Sequence, residues 1–362
     1  MTKRLLSLDV FRGITVAAMV LVNDPGDWGN IYAPLEHSKW NGCTPTDLIF
    51  PTFLFIVGVS IVYSMERKAA EPANHAAMLW GALRRGLILI AISLGIQLIL
   101  HPGFEHLRFP GVLQRIGLVF IICALLFIKT SQKVRDWLFA ILLIGYYMLM
   151  SFVPVPDTHV ASLDPETNMG AWLDRLVFTT NHLWSESHTW DPEGLLGTLP
   201  AIATGLFGIR VGTWLKRKDR DDATKVSWMF FYGILAVVSG LIWDMFFPIN
   251  KALWTSSFVL YAGGWSTIAL AASYWLIDVQ GRTRFTTFFL PFGMNAITAY
   301  VLSDFIPHYI NKIKLGSSTL YQILFQPYLS PKNASAAYAI IMTLLIWVVM
   351  WILYKRRIFI KV

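Results

Sequence analysis

The residues best suited to chemistry lie in LEHSKWNGCTPTDLIF, positions 35–50, where His37 stands just ahead of an apolar run. Imidazole has an unperturbed pKa of about 6.5 and is the commonest general base. Asn23 closes the preceding apolar run, VLVN, and a carboxamide can hold a reacting carbonyl or orient an amine. Trp40, Asn41 and Asp47 crowd the same short stretch, which favours a site over a lone surface histidine. These types support proton transfer or nucleophilic attack on a polar acceptor. Cys43, next to them, reads as a packing residue rather than a nucleophile, since no second cysteine or metal spacing accompanies it.

A second group lies in NHLWSESHTWDPEGLLGTLPAIATG, which holds His182, His188, Asp191 and Glu193. A carboxylate beside an imidazole fixes its tautomer, and carboxylates also suit sugar hydroxyls or an amine. The same residues read as a helix start, with Asp191 as N-cap, Pro192 first and Glu193 in the first turn. Arg115, after Gln114 in GVLQRIGLVF, needs a carboxylate, a carbonyl or water. Asp244 in GLIWDMFFPINKALW is placed to pair with Lys251 across a turn, or with Arg115. Asp9 and Arg12 are three apart, hence neighbours on a helix. They read as a neutralising pair, with a gate or an anchor for an anionic ligand as the functional alternative.

The elements that must carry these residues are set by composition. The chain has 362 residues, 55% hydrophobic and only 14% charged, with 15 Trp and a mean hydropathy of +0.54. A soluble protein carries about a quarter charged residues, so this is an all-α polytopic membrane protein. The net charge of +8 sits in short clusters between apolar runs, which fits membrane topology and not nucleic acid. A span needs about 20 apolar residues. About ten transmembrane helices are predicted, over 5–23, 48–65, 79–100, 111–129, 136–153, 195–215, 226–247, 254–277, 285–306 and 336–354. The ninth is broken by Pro291 and Gly293, which neighbouring helices or water can accommodate.

Basic residues alternate between loops. One set holds Lys3, Arg4 and Arg12, then Arg67 to Arg85, Lys129 to Arg135, Lys216 to Lys225, Arg282 and Arg284, and Lys355 to Lys361. The other set is sparse. The positive-inside rule makes both termini cytoplasmic, as an even number of spans requires. The N-terminus reads as an uncleaved first span, because Asp9 and Arg12 interrupt a signal-like core. Loops 24–47 and 154–194 then face outward, with all histidines but His75 on or near that side, and both contribute to the site of a single transmembrane domain spanning 1–362. Nucleotide-binding, zinc-protease and serine-hydrolase motifs are absent, and the histidines lack metal-ligand spacing, so no metal is expected.

The runs LLSLDVFRGITVAAMVLVN, HSKWNGCTPTDLIFPTFLFIVGVS, GVLQRIGL, DPEGLLGTLPAIATGLFG, LIWDMFFPINKALWTSSFVL and FGMNAITAY resemble the heparan-α-glucosaminide N-acetyltransferase family, especially its bacterial members. They cover nearly the whole chain in order. The resemblance implies a membrane-bound transferase that moves the acetyl group of cytoplasmic acetyl-CoA to the amine of a glucosamine-type sugar on the far side. The family's active histidine, in H-x-x-W-N-G, matches His37, and its asparagine at the end of the first span matches Asn23. Between them DPGDWGNIYAPLE departs from the lysosomal loop and is longer.

On this reading His37 acts as general base or as a transient acetyl carrier, and Asn23 polarises the carbonyl or positions His37. Trp40, Asn41, Asp47, His188, Asp191, Glu193, Asp244, Lys251 and Arg115 are the candidate substrate contacts. Arg12, Arg84 and Arg85 lie where cations for the CoA phosphates are needed. Expected partners are acetyl-CoA, an amino sugar or glycosaminoglycan-derived saccharide, and membrane lipid, without nucleic acid; a homodimer stays open. The location implied is a bacterial inner membrane. The competing readings are a sugar or amino-sugar transporter with Pro/Gly-broken helices, and an O-acyltransferase acting on a polysaccharide hydroxyl.

Overall fold

The computed structural model describes residues 5–360; the predicted inner-side Lys3, Arg4 and Lys361 lie outside that range. The chain is built from helices α1 (Leu6–Asn23), α2 (Ile49–Ala69), α3 (His75–Leu100), α4 (Val112–Lys129), α5 (Gln132–Phe152), α6 (Met169–Phe178) and α7 (Thr198–Leu215). These are followed by α8 (Asp222–Asp244), α9 (Ser256–Tyr274), α10 (Thr286–Met294), α11 (Ala296–Lys312), α12 (Leu320–Leu324) and α13 (Pro331–Lys355). One small antiparallel hairpin, β1 (Lys314–Leu315) with β2 (Ser318–Thr319), interrupts them.

Among the described residues, seven helices are long and apolar enough to cross a membrane: α1, α2 with its leading turn, α3 with its leading turn, α4, α5, α8 and α13. The pair α10–α11, bent by 86°, makes an eighth if it counts as one span. Each predicted span coincides with helix, but α7 and α9 have the length without the apolarity. The reason is visible in α7, which is buried along most of its length and carries Thr198, Thr204, Gly205, Gly208 and Gly212 on that buried surface. A helix surrounded by protein needs small residues for close approach more than it needs greasy ones.

The residues gather into two compact units. The larger comprises 39–43 and 51–268. In it α7 lies against α2 through glycines: a Cβ on Gly58 would fall 2.0 Å from the Gly205 carbonyl oxygen, and one on Gly208 would fall 2.1 Å from that of Phe55. Cys123 is buried here against α7, its Sγ 3.7 Å from the Ile202 carbonyl.

The other unit comprises the chain up to Ser38, 44–50 and 269 onward. Its centre is α1 packed on α10, α11 and α13. The Asp278 carboxylate accepts the Ser7 N–H at 2.9 Å, supplying one of the partners that a helix N-terminus lacks. Asn295, fully buried at the α10–α11 bend, donates to the Ile358 carbonyl (3.1 Å) and accepts from the Ile360 N–H (2.9 Å). The break that Pro291 and Gly293 announce is thus completed by the C-terminal segment.

The α1–α10 contact depends on two glycines. A Cβ on Gly13 would lie 2.0 Å from the Phe289 carbonyl oxygen, and one on Gly293 would lie 1.9 Å from that of Asp9. Both obstacles are backbone, so no rotamer change relieves them. Gly293→Ala is expected to cost about 1–3 kcal/mol or more and to lower the melting temperature in detergent. Gly95→Ala is the control, because nothing lies within 4 Å of its added Cβ.

Candidate functional site

The opening of α2 is built by a capping box. Thr44 caps a tight turn, Pro45–Leu48, and Asp47 returns its carboxylate to the Thr44 N–H at 2.9 Å. Thr44 Oγ1 also donates to the Glu36 carbonyl at 2.7 Å, and Thr46 Oγ1 to that of Pro34 at 3.1 Å, so the 34–47 loop closes on itself. Asp47 thereby becomes a buried acceptor at a helix start. Its Oδ2 takes the Ser38 N–H at 3.1 Å, and its Oδ1 lies 2.7 Å from His37 Nδ1. The Asp47 side chain is 1% exposed and that of His37 45%. A carboxylate can only accept, so Nδ1 carries the proton and Nε2 is the basic nitrogen. This is the arrangement that orients a histidine for proton transfer. Asn23 ends α1 with its side chain in an exposed position.

In the larger unit the Trp40-Asn41-Gly42 segment is fastened residue by residue. Trp40 Nε1 donates to the Leu163 carbonyl (3.0 Å), Asn41 Oδ1 accepts from Asn250 Nδ2 (3.1 Å), and the Gly42 N–H reaches the Ile249 carbonyl (2.7 Å). Gly42 has φ +103°, a conformation natural to glycine. The Trp40 ring meets Trp190 edge-on at 4.9 Å, and Trp190 meets Trp184 at 5.2 Å.

The carboxylates of the 154–194 loop are engaged by an arginine. Arg108 forks onto Asp191 (2.7 and 2.6 Å) and reaches Glu193 (2.6 Å). This pairing raises the Arg108 guanidinium above its ordinary range despite burial. Burial pushes the Glu193 carboxyl up, but the charges of Arg108, Arg115 and Lys251 hold it below its usual value. Two corrections follow. Asp191 does not cap a helix: α7 begins at Thr198, and Asp191 Oδ1 instead accepts the Glu193 N–H in a turn at 2.9 Å. Nor do these carboxylates serve an imidazole, since an arginine that sequence spacing did not single out has claimed them. His188 is exposed with φ +56°, and His182 stacks on Phe109 while its Nδ1 meets the Leu107 carbonyl at 2.8 Å.

Arg115, fully buried, finds a carbonyl and an aromatic face: Nη2 donates to Gly194 at 2.8 Å and the guanidinium lies 5.0 Å over Trp254. Asp244 accepts the Ile249 N–H at 2.6 Å and so closes the turn that leads to Lys251. Trp40, Trp190, Asp174 and Asp191 line a polar cavity of about 20 Å³, the size of a water and not of a sugar. Asp174 is buried within α6 and accepts the Leu195 N–H at 2.8 Å; burial pushes its carboxyl up to about 7.

Of the cations expected near CoA, Arg12 is engaged by Asp9 at 3.2 Å and by the Gly293 carbonyl at 3.4 Å. The pair expected from spacing is present. Arg84 and Arg85 are exposed on α3, with Arg85 5.1 Å over the Phe120 ring.

Sequence reasoning missed Arg108, Asp174, Asp24 and Asp304. Asp304 alone left a readable signal, as an acid within an apolar run. The other three are ordinary polar residues of the segments between the predicted spans until burial gives them weight.

Apolar helices and polar, folded loops together define a multi-pass helical membrane protein with an oriented histidine–carboxylate pair outside its helices. The chain belongs to the family described as heparan-alpha-glucosaminide N-acetyltransferase, catalytic, whose model matches residues 4–241. It is 29% identical to the heparan-alpha-glucosaminide N-acetyltransferase of Homo sapiens over an alignment of 418 residues, covering 99% of this chain and 60% of that protein. The Mus musculus protein of the same name is also 29% identical, over 417 residues, with the same coverage. The chain thus spans about three fifths of the length of the curated relatives it matches.

Proposed function

We propose that the chain transfers the acetyl group of acetyl-CoA to the amine of a glucosamine-type sugar across the membrane. The observation that carries this reading is the His37–Asp47 pair, set in a loop of a chain from this family. The amine nitrogen attacks the acetyl carbonyl carbon, an N–C bond forms and the C–S bond breaks. His37 Nε2 takes the proton that the amine loses and returns it to the departing thiolate. Asp47 holds the imidazole in the required tautomer and stabilises its positive charge. In the two-step variant His37 first accepts the acetyl group and then passes it to the amine. Asn23 polarises the carbonyl or positions His37.

Ten spans with both termini cytoplasmic complete this reading, with α7 and α9 as spans enclosed by other helices. The 24–47 and 154–194 loops then face outward, and the whole chain acts as one acyltransferase domain in, for a bacterium, the inner membrane. Trp40 and Asn41, in the 24–47 loop, are the preferred acceptor contacts. Arg84 and Arg85, exposed on α3, are better placed than Arg12 to meet CoA phosphates, because Arg12 is engaged by Asp9 and Gly293. A transporter reading draws on the bent α10–α11 pair, yet Asn295 and the C-terminal segment pin that bend.

Purified protein given acetyl-CoA and glucosamine is expected to release CoA thiol and form the N-acetylated sugar in equal amounts. Thiol without acetylated product, or uptake of labelled sugar into proteoliposomes lacking acetyl-CoA, would overturn the reading. Acetyl found on a hydroxyl by product mass and fragmentation would favour O-acylation instead.

A further inference from the structure

The outer end of α1 carries a second feature that the His37–Asp47 pair does not use. Asp24, the residue after Asn23, is 7% exposed, and its Oδ2 is buried without a hydrogen-bond partner among the described residues. The charge that acts on it is another carboxylate, Asp304 of α11. The nearby hydroxyl of Tyr338 donates to Asn311 Oδ1 at 2.7 Å. The loop packs closely here, since a Cβ on Gly26 would lie 2.4 Å from the Tyr321 ring. The loop is held there by α13: Gly26 N–H to the Ser335 carbonyl (3.3 Å), Asp27 N–H to Ser335 Oγ (3.1 Å), and Tyr32 Oη to Asn333 Oδ1 (2.6 Å).

A buried acceptor without a donor, within electrostatic reach of a second acid, is costly to leave as it stands. What completes it is a group that brings several N–H donors and a positive charge. Arg108 performs that service for Asp191 and Glu193; no cation is among the groups that act on Asp24. We infer that Asp24 and Asp304 form a receiving site for the primary ammonium group of the acceptor, at the end of α1 that carries Asn23 and in the same unit as His37. This rests on the amino-acceptor reading above and assigns it a recognition element. Burial and then Asp304 push the Asp24 carboxyl up to about 8. One ammonium is a fitting counterion for the pair. The site holds the cation; before attack the ammonium releases one proton to solvent, and the proton lost as the N–C bond forms goes to His37, which returns it to the thiolate.

The test is equilibrium binding to the full-length protein in detergent, without acetyl-CoA, comparing glucosamine with glucose by calorimetry. Wild type is expected to prefer the amine by about tenfold or more, or about 1.4 kcal/mol. Asp24→Asn and Asp304→Asn should each abolish that preference while glucose binding stays the same. In turnover the same variants should raise the KM for glucosamine and leave that for acetyl-CoA within about twofold. No preference in wild type overturns the inference. So do variants that keep the preference, or that lose both sugars alike, which would mark the pair as two acids sharing a proton. If Asp24→Asn does not fold, Asp304→Asn and the wild-type comparison decide. Amine-selective binding without acetyl transfer would instead overturn the acetyltransferase reading and leave this site standing.

Discussion

His37→Ala is expected to slow acetyl transfer to glucosamine by about 10²–10⁴, the range that a positioned general base supplies. The amine must shed a proton as it attacks, and the His37 imidazole is both oriented by Asp47 and accessible. Asp47→Asn tests the orientation separately. An amide in that place can donate to Nδ1 and so reverse the tautomer, moving the proton onto Nε2 where the base is needed. It also breaks the capping box that starts α2, because the carboxylate accepts the Thr44 and Ser38 N–H groups as well. A fall in kcat with little change in the KM for acetyl-CoA would place the pair at the chemical step. Wild-type rates in His37→Ala would remove His37 from the mechanism. Acid-quenched protein carrying labelled acetyl on His37 would select the two-step route.

The largest expected effect on stability belongs to Arg108→Ala. Asp191 and Glu193 have side chains 0% and 6% exposed, and Arg108 meets both at 2.6 Å. Removing one partner of a buried ion pair typically costs about 3–5 kcal/mol, because the remaining charge is left in a poor solvent. Two carboxylates are abandoned here, although Arg115 and Lys251 still act on Glu193. The sign with pH follows. In the wild type the Glu193 carboxyl is held below its ordinary value, so its contribution is present above the unfolded pKa and lost as pH falls through the folded one. In the variant the Glu193 carboxyl is buried without Arg108 and gains stability by taking up a proton. The deficit relative to wild type should therefore shrink as pH falls from neutral toward 5, read as melting temperature in detergent. Arg108→Lys should recover only part, since an ammonium cannot reproduce the fork. A variant as stable as wild type at neutral pH would show that water already shares the load.

How much of this was readable in advance differs from element to element. Apolar runs of about 20 residues mark helices wherever lipid is the solvent, and so α1, α2, α3, α4, α5, α8 and α13 stand where hydropathy puts them. The same rule weakens for α7, whose surroundings are protein and whose requirement is smallness. The capping box of Thr44 and Asp47, which their spacing permits, survived folding because both partners sit within one turn. The equally local signal at Asp191-Pro192-Glu193 did not. Arg108, 83 residues from Asp191, offered a buried pair of carboxylates more than a helix start could.

From its order of residues alone this protein is a helical membrane chain, with Asn23 at the end of its first helix and His37 in the loop that follows. Those conclusions depend on solvent preference and on spacing within a turn or two, which the chain carries wherever it folds. Which acid serves which base was decided only in three dimensions. Asp47 turned to His37 and Asp191 to Arg108, while Asp24 Oδ2 was buried without a hydrogen-bond partner among the described residues. Burial removes water as a competing partner, so each choice depends on neighbours distant in sequence.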